Sequence, residues 1–435
     1  MKTTLVLLLV LGACGNLSRL MALDPAHATG HWRIGFLSTP HTLGIQKNIA
    51  GEVIGVHHRQ HFSNGMGYID VSAGGGFSGD VEGPISGTIS LGVEGTGTTS
   101  IGPVFYFNEN ADFAVGVLTD EPGWLDLQCM VRAPAGTPAA SVLQGRWNMV
   151  SIDTPHQLNV DTTGMGIVTN LWPLANFGIF SGYANFDAGG NFSGFMDGAI
   201  SGTASIGAQG MVTSPGFEAG EVFRLNASHD VMITFHDEGP TGGYRYFLGM
   251  VKAPASILTH ELRGRWRILS LNTPDRLILQ KNMDNHVIGI NGENHFEVFQ
   301  GLLEIDSHGH VTGNFDGPVS ATATAGSNGT VSVTSPEGAL TCYINASKDV
   351  MMAVQTEPGT PGFCEVLLLV RAVMPRVITH HPAPNAIDFC WPDDGSVKLQ
   401  RSTDLVNWFD VITPNACHTE PVSTGRAFFQ LVPVP

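Results

Sequence analysis

The sequence predicts an all-β protein made of three tandem antiparallel meander repeats, each of roughly 115 residues, followed by a small β module. Three observations carry that prediction. The eleven residues GHWRIGFLSTP from Gly30 return as GRWNMVSIDTP from Gly145 and again as GRWRILSLNTP from Gly264. Self-similarity at a long fixed period is the mark of one supersecondary unit written several times. Short β-rich runs alternate with Gly, Asn and Asp turns in a chain holding 54 Gly and 25 Pro, and no stretch carries a helical period. Each copy then closes on a matching strand, MVRAP, MVKAP or LVRAV, about a hundred residues beyond its tryptophan.

Residues 1–28 read as a signal peptide and N-terminal linker. MKTTLVLLLVLGACG has a basic start, an apolar core and small residues at its end, which is the pattern of an export signal. LGAC (Leu11 to Cys14) also resembles a bacterial lipobox, in which Cys14 would become the lipidated N-terminus. Ordinary cleavage after Gly15 or near Ala26–Ala28 is the alternative. Residues 29–138, 139–258 and 259–375 are the three repeats. In the third, strands are expected at Trp266–Leu271, Gly301–Ile305, Val311–Phe315, Val319–Ala325, Thr330–Thr334, Thr341–Ile344, Val350–Gln355 and Glu365–Arg371. LILQKN adds a further apolar segment. In CEVLLLVRA both alternating faces are apolar, Val366, Leu368 and Val370 on one and Leu367 and Leu369 on the other. Something must therefore cover the second face, and the adjacent repeat is the candidate.

Two architectures accommodate such a meander. A closed β-barrel per repeat is the leading reading, and a six-bladed β-propeller with two blades per repeat is the alternative. Eight strands running from G-x-W to a terminal basic residue resemble the calycin superfamily, the lipocalin and avidin barrels. There a first-strand Trp plugs the barrel end and an Arg of the last strand stacks across it. The resemblance covers the ends of each repeat and implies the closure pairs Trp32 with Arg132, Trp147 with Lys252, and Trp266 with Arg371. Lys252 departs from the pattern, because an ammonium stacks less well than a guanidinium.

Residues 376–435 form a linker and C-terminal module. PRVITHHPAP is a proline-marked linker. The last fifty residues resemble the short β module that ends many secreted proteins of environmental bacteria, through Trp391–Pro392, Leu399–Trp408 and Phe428–Leu431. That resemblance implies a secreted surface context rather than a reaction.

With 38 acidic against 21 basic residues the net charge is −17, which repels phosphate backbones and excludes nucleic acid as a partner. Any membrane association would run through the lipid anchor alone. Of the six cysteines, Cys342 and Cys364 are expected as cross-strand neighbours able to form a disulfide, and Cys390 and Cys417 as a staple of the C-terminal module. Cys129 reads as a buried thiol.

Chemistry-bearing residues are few. His57, His58 and His61 in HHRQH form the most metal-like cluster, with a solvated loop or strand as the competing reading. Glu121, Glu238 and Glu357 stand at matching places in TDEPG, HDEGP and QTEPG. They read as hairpin-loop residues, with calcium ligation or a charged barrel rim as the alternative. Asn226 with Asp230, and Asn345 with Asp349, read as turn residues that bond nearby backbone, and Asp70, Asp187 and Asp306 likewise. G-x-S-x-G, H-E-x-x-H, Walker and dinucleotide motifs are absent, and nothing calls for a cofactor. The expected function is a non-enzymatic secreted or lipid-anchored bacterial surface protein, acting as scaffold, adhesin or ligand binder. Its partners would be carbohydrate, a small hydrophobic ligand or other surface proteins. The alternative is an extracellular hydrolase of carbohydrate or another polymer. Filled barrels favour a structural role, an open apolar cavity favours a small ligand, and converging carboxylates favour the hydrolase.

Overall fold

The computed structural model describes residues 25–92, 95–120, 123–216, 221–239, 243–336, 338–357, 362–372, 378–383, 386–390, 397–402, 407, 409–411, 417–421 and 428–433. It is an all-β protein of closed antiparallel eight-stranded barrels, not a propeller. In the first barrel the strand Gly30–Pro40 pairs on one edge with Ser63–Val71 and on the other with the last strand, Trp124–Arg132. In the third, Gly264–Pro274 lies between Glu297–Ile305 and Phe363–Arg371. The middle unit has the same order, with one strand broken at Ala204 into Ala199–Thr203 and Ser205–Ile206. Its first half pairs with Asn191–Phe195 and its second with Met211–Thr213, so the ring of pairing runs on through a single chain segment. Pro84–Leu91 and Pro318–Ala325 make the same handover unbroken.

A small barrel must bend its sheet sharply, and glycine permits it. A Cβ on Gly67, Gly182 or Gly301 would stand 2.1 Å from a carbonyl oxygen of the next strand, that of Asp80, Phe195 or Asn314. No larger residue fits that close approach.

One end of each barrel is plugged alike. Trp32, Trp147 and Trp266 are fully buried. Each donates its indole N–H to a short 3-10 turn just ahead of the first strand, at the carbonyls of Ala28 (2.6 Å), Leu143 (2.7 Å) and Leu262 (2.9 Å). The register sets Trp32 opposite Arg132, Trp147 opposite Lys252 and Trp266 opposite Arg371. Those bases reach the same turns: Arg132 donates to the His27 carbonyl, Lys252 to that of Val142 and Arg371 to that of Glu261. The Arg371 guanidinium also lies 4.9 Å above the Trp266 ring.

The outward faces of the first and last strands meet their counterparts in a core shared by all three barrels, with Leu37, Val131, Val150, Val251, Leu269 and Leu368 among its members. Val366, Leu368 and Val370 belong to this shared core, while Leu367 and Leu369 belong to the interior of the third barrel, so both faces of CEVLLLVRA are covered. Burying one such side chain stabilises by about 2 kcal/mol.

Contacts along the shared core run cyclically at both ends. Where the chain crosses from the first strand to the second, each repeat sends out a hairpin segment. Leu43 N–H donates to Glu293 O, Leu158 N–H to Arg59 O and Leu277 N–H to Leu174 O, linking first repeat to third, second to first and third to second. Phe62, Phe177 and Phe296 close this end, with ring centroids 5.8–5.9 Å apart. Near the Trp plugs, a ring of three Asn and three Asp does the corresponding work. Asn108, Asn226 and Asn345 each bond the Asp four residues on, Asp112, Asp230 and Asp349, and with the same amide nitrogen reach a sister repeat's Asp: Asp349, Asp112 and Asp230 respectively. All six side chains are buried.

The segment expected as a linker contains the strand Ile378–Ala383, which pairs with Ala386–Cys390. Val397–Ser402 pairs with Phe409–Asp410 and Phe428–Pro433. Cys390 stands opposite Cys417 in the backbone register. Cys342 and Cys364 are free thiols, which corrects the disulfide expected between them. Cys342 points into the third barrel and pairs with Ala353, whereas Cys364 pairs with Thr356 and Thr273, so the two differ in both register and face. Cys129 is buried in the shared core. Cys14, Glu121 and Trp391–Pro392 lie outside the described residues.

Candidate functional site

The barrel ends opposite the Trp plugs differ among the repeats. In the third barrel Phe315, Val319, Val333 and Leu340 pack onto the interior core, and Phe315 meets Phe299 edge-on at 6.1 Å. At the same distance along the chain from its tryptophan, the second repeat carries Met196 for Phe315, Ser214 for Val333 and Glu221 for Leu340. Apolar bulk is lost at all three positions, and the second barrel holds a cavity of 440 Å³. That volume lies within the range of small-molecule pockets, about 300–1,000 Å³. The first barrel keeps a smaller apolar space of 180 Å³ bordered by Ile34, Phe77, Ile89, Phe105 and Met130.

Each element contributes to the second cavity by strand alternation. On the first strand Met149, Ser151 and Asp153 face it in succession, and on the last strand Leu248, Tyr246 and Tyr244. Phe177, from the triplet that closes one end of the shared core, borders the mouth with Phe180. Glu221 is buried at 5 % exposure and accepts a hydrogen bond from Tyr246 Oη at 3.1 Å. The Ser151 hydroxyl donates to Asp153 at 2.6 Å. The cavity thus combines aromatic and aliphatic walls with carboxylates whose orientation is fixed by hydroxyl donors. The other barrels bury an acid on the last strand, where the second has Tyr246: Asp126 accepts from Ser38, and Glu365, raised by burial above the usual carboxylate range, accepts from Gln355.

The structure distributes the residues singled out from sequence as follows. Glu238 is exposed and borders the cavity, whereas Glu357 is exposed at the end of the strand Val350–Glu357. His58 and His61 face each other at 3.3 Å between Nδ1 atoms, and His57 is exposed. Burial and the neighbouring imidazoles His61 and His57 hold His58 below the usual imidazole range. Among the described residues no group of three or more His, Cys, Asp or Glu is placed to hold a metal ion. Asp187 and Asp306 bond the backbone of their own turns. Asp70 contacts His31 at 2.7 Å. Glu221, Tyr246, Ser151 and Asp153 escaped notice in the sequence. The available signal was the comparison of repeats position by position, which sets Glu221 against Leu340.

No protein-family model matches the chain, and no curated protein matches it. Among solved structures it is similar to a protein of unknown function of the DUF3598 family from Nostoc punctiforme, at 8 % identity over 54 % of this chain and 99 % of that one, with a TM-score of 0.21. It is similar also to a mutant of the vaccine antigen transferrin binding protein B from Haemophilus parasuis, at 11 % identity over 78 % of this chain and 75 % of that one, TM-score 0.25. A third is the isotype 1 transferrin binding protein B of serogroup B Neisseria meningitidis, at 8 % identity over 79 % and 76 %, TM-score 0.23. Likeness of this degree says nothing of what the chain binds.

Proposed function

We propose that the protein is a non-enzymatic binding protein, exported by its N-terminal signal and held at or released from the cell surface, that takes a small amphiphilic molecule into the second barrel. One observation carries the reading: the second barrel has Met196, Ser214 and Glu221 where the third has Phe315, Val333 and Leu340, and it holds the 440 Å³ space. The first and third barrels serve as its frame. The test is titration with N-phenyl-1-naphthylamine, an uncharged apolar fluorophore. One probe is expected to bind per chain with a rise in emission, and Met196→Phe, which restores the residue of the third repeat, is expected to abolish it. Equal binding by the variant would place the probe elsewhere and overturn the reading. The hydrolase reading has one observation in its favour, that Asp153, Glu221 and Glu238 border one cavity. Hydrolysis of a glycoside substrate by the intact chain, lost in Glu221→Gln, would displace the binding reading.

A further inference from the structure

The composition of the cavity wall selects among amphiphiles. We infer that its ligand is an organic cation with an apolar body, an alkyl- or arylalkyl-ammonium, rather than a fatty acid or a neutral lipid. This rests on the reading of the second barrel as a binding site and adds the charge of what it binds. Sixteen described residues border the cavity; four of them are acids, Asp153, Asp197, Glu221 and Glu238, and among the described residues none is Lys, Arg or His. A fatty-acid carboxylate entering there would meet like charge on several sides with no fixed base to receive it. Charge–charge interactions strengthen where water is partly excluded, so the sign of the ligand's charge outweighs one or two methylene contacts. An ammonium gains the converse. It has three N–H donors, and it would find carboxylates already held in place, Glu221 by Tyr246 and Asp153 by Ser151. The aromatic side chains of Phe177, Phe180, Tyr244 and Tyr246 in the wall further favour a cation over a neutral headgroup. The apolar body would lie deeper, against Met149, Ile200 and Leu248. The chain's net charge of −17 draws cations toward the mouth.

The test displaces N-phenyl-1-naphthylamine from the intact chain with three probes of one chain length, dodecylamine, dodecanol and dodecanoate, at pH 7.5. Dodecylamine is expected to bind at least tenfold more tightly than either of the others. Glu221→Gln, which keeps the shape and can still accept from Tyr246, is expected to weaken the amine about tenfold while leaving dodecanol within twofold. Glu238→Gln at the exposed mouth is expected to weaken the amine severalfold. Dodecanol or dodecanoate binding as tightly as the amine, while Met196→Phe still blocks all three, would overturn the charge inference and leave the binding site standing. All three probes binding Met196→Phe as they bind the wild type would remove the site itself, and with it this inference.

Discussion

Asn345→Ala tests what holds the three barrels together. The Asn345 side chain is fully buried and makes four hydrogen bonds. Its Oδ1 accepts from the backbone N–H groups of Asp349 and Val350, both at 2.9 Å. Its amide nitrogen donates to Asp349 at 2.8 Å within its own turn and to Asp230 at 3.0 Å in the second repeat. Alanine leaves two buried N–H groups without this acceptor, at about 1–3 kcal/mol each, and takes a donor from each of two buried carboxylates, at about 1.5–3 kcal/mol each. These losses share partners and do not add in full, so the expected total is about 5 kcal/mol. A domain's entire net stability is of order 5–15 kcal/mol. The assay is urea unfolding of the purified chain followed by tryptophan fluorescence, since Trp32, Trp147 and Trp266 report one barrel each. Asn314→Ala, on an exposed strand position, serves as control and is expected to stay within about 0.5 kcal/mol. Asn345→Asp keeps the acceptor but sets a carboxylate oxygen toward Asp230 and Asp349; it is expected to be as damaging at pH 8 and partly relieved at pH 5. A loss below about 1 kcal/mol in Asn345→Ala would refute the ring as a fastening.

Two further outcomes follow from the same geometry. Asp349 is pushed up to about 7, by burial first and then by the neighbouring carboxylates Asp230 and Asp112, against the bond from Asn345 that favours its charge. A folded-state value above the unfolded one, about 3.9, means that the folded chain binds this proton more tightly. The contribution is therefore fully present below about pH 4 and is lost as pH rises through 7. Asp306, held down to about 2 against its burial by bonds from His310 and His308, loses its contribution only on acidification below about 4. The urea midpoint is expected to peak between about pH 4 and 6 and the slope above pH 5 to flatten in Asp349→Asn; a midpoint rising steadily from pH 4 to 8 would contradict this. Trp266→Ala removes a fully buried indole and its bond to Leu262 O, and a loss of about 3–5 kcal/mol is expected by urea unfolding; a loss near zero would mean the barrel end is not closed by this ring.

Where local pattern decides structure, the sequence was an adequate guide. The strand expected at Val319–Ala325 is Pro318–Ala325, and that expected at Val350–Gln355 is Val350–Glu357, because Gly, Asn and Asp turns punctuate a chain with no helical competitor. The doubly apolar CEVLLLVRA signalled a second buried face for the same reason. The Asn-x-x-x-Asp turns were legible only in their local half, the bonds that Asn226 Oδ1 accepts from the N–H groups of Asp230 and Val231. Their other half joins residues more than a hundred positions apart, such as Asn226 and Asp112, and no spacing rule reaches that far. The pairing of Cys342 with Cys364 failed because the strand Val350–Glu357 lies between the two strands that carry them, an order that spacing in the sequence does not reveal.

Position in the threefold arrangement determines which residues are free to differ between repeats. An axial residue such as Asn226 bonds both its own turn and a sister's Asp112, so a change there disturbs two repeats at once. A mouth residue such as Glu221 bonds within its own barrel, to Tyr246, and its replacement by the Leu340 of the third repeat is a local matter of volume and charge. The Asn–Asp ring and the phenylalanine triplet are accordingly the same in all three copies, while the interiors differ, with a space of 180 Å³ in the first barrel and 440 Å³ in the second. A specific ligand site needs asymmetry that the fold can tolerate, and the mouths are where this architecture tolerates it. For that reason the second barrel, where bulky apolar residues of its sister give way to Met196, Ser214 and Glu221, is where recognition is to be sought before any groove between the barrels.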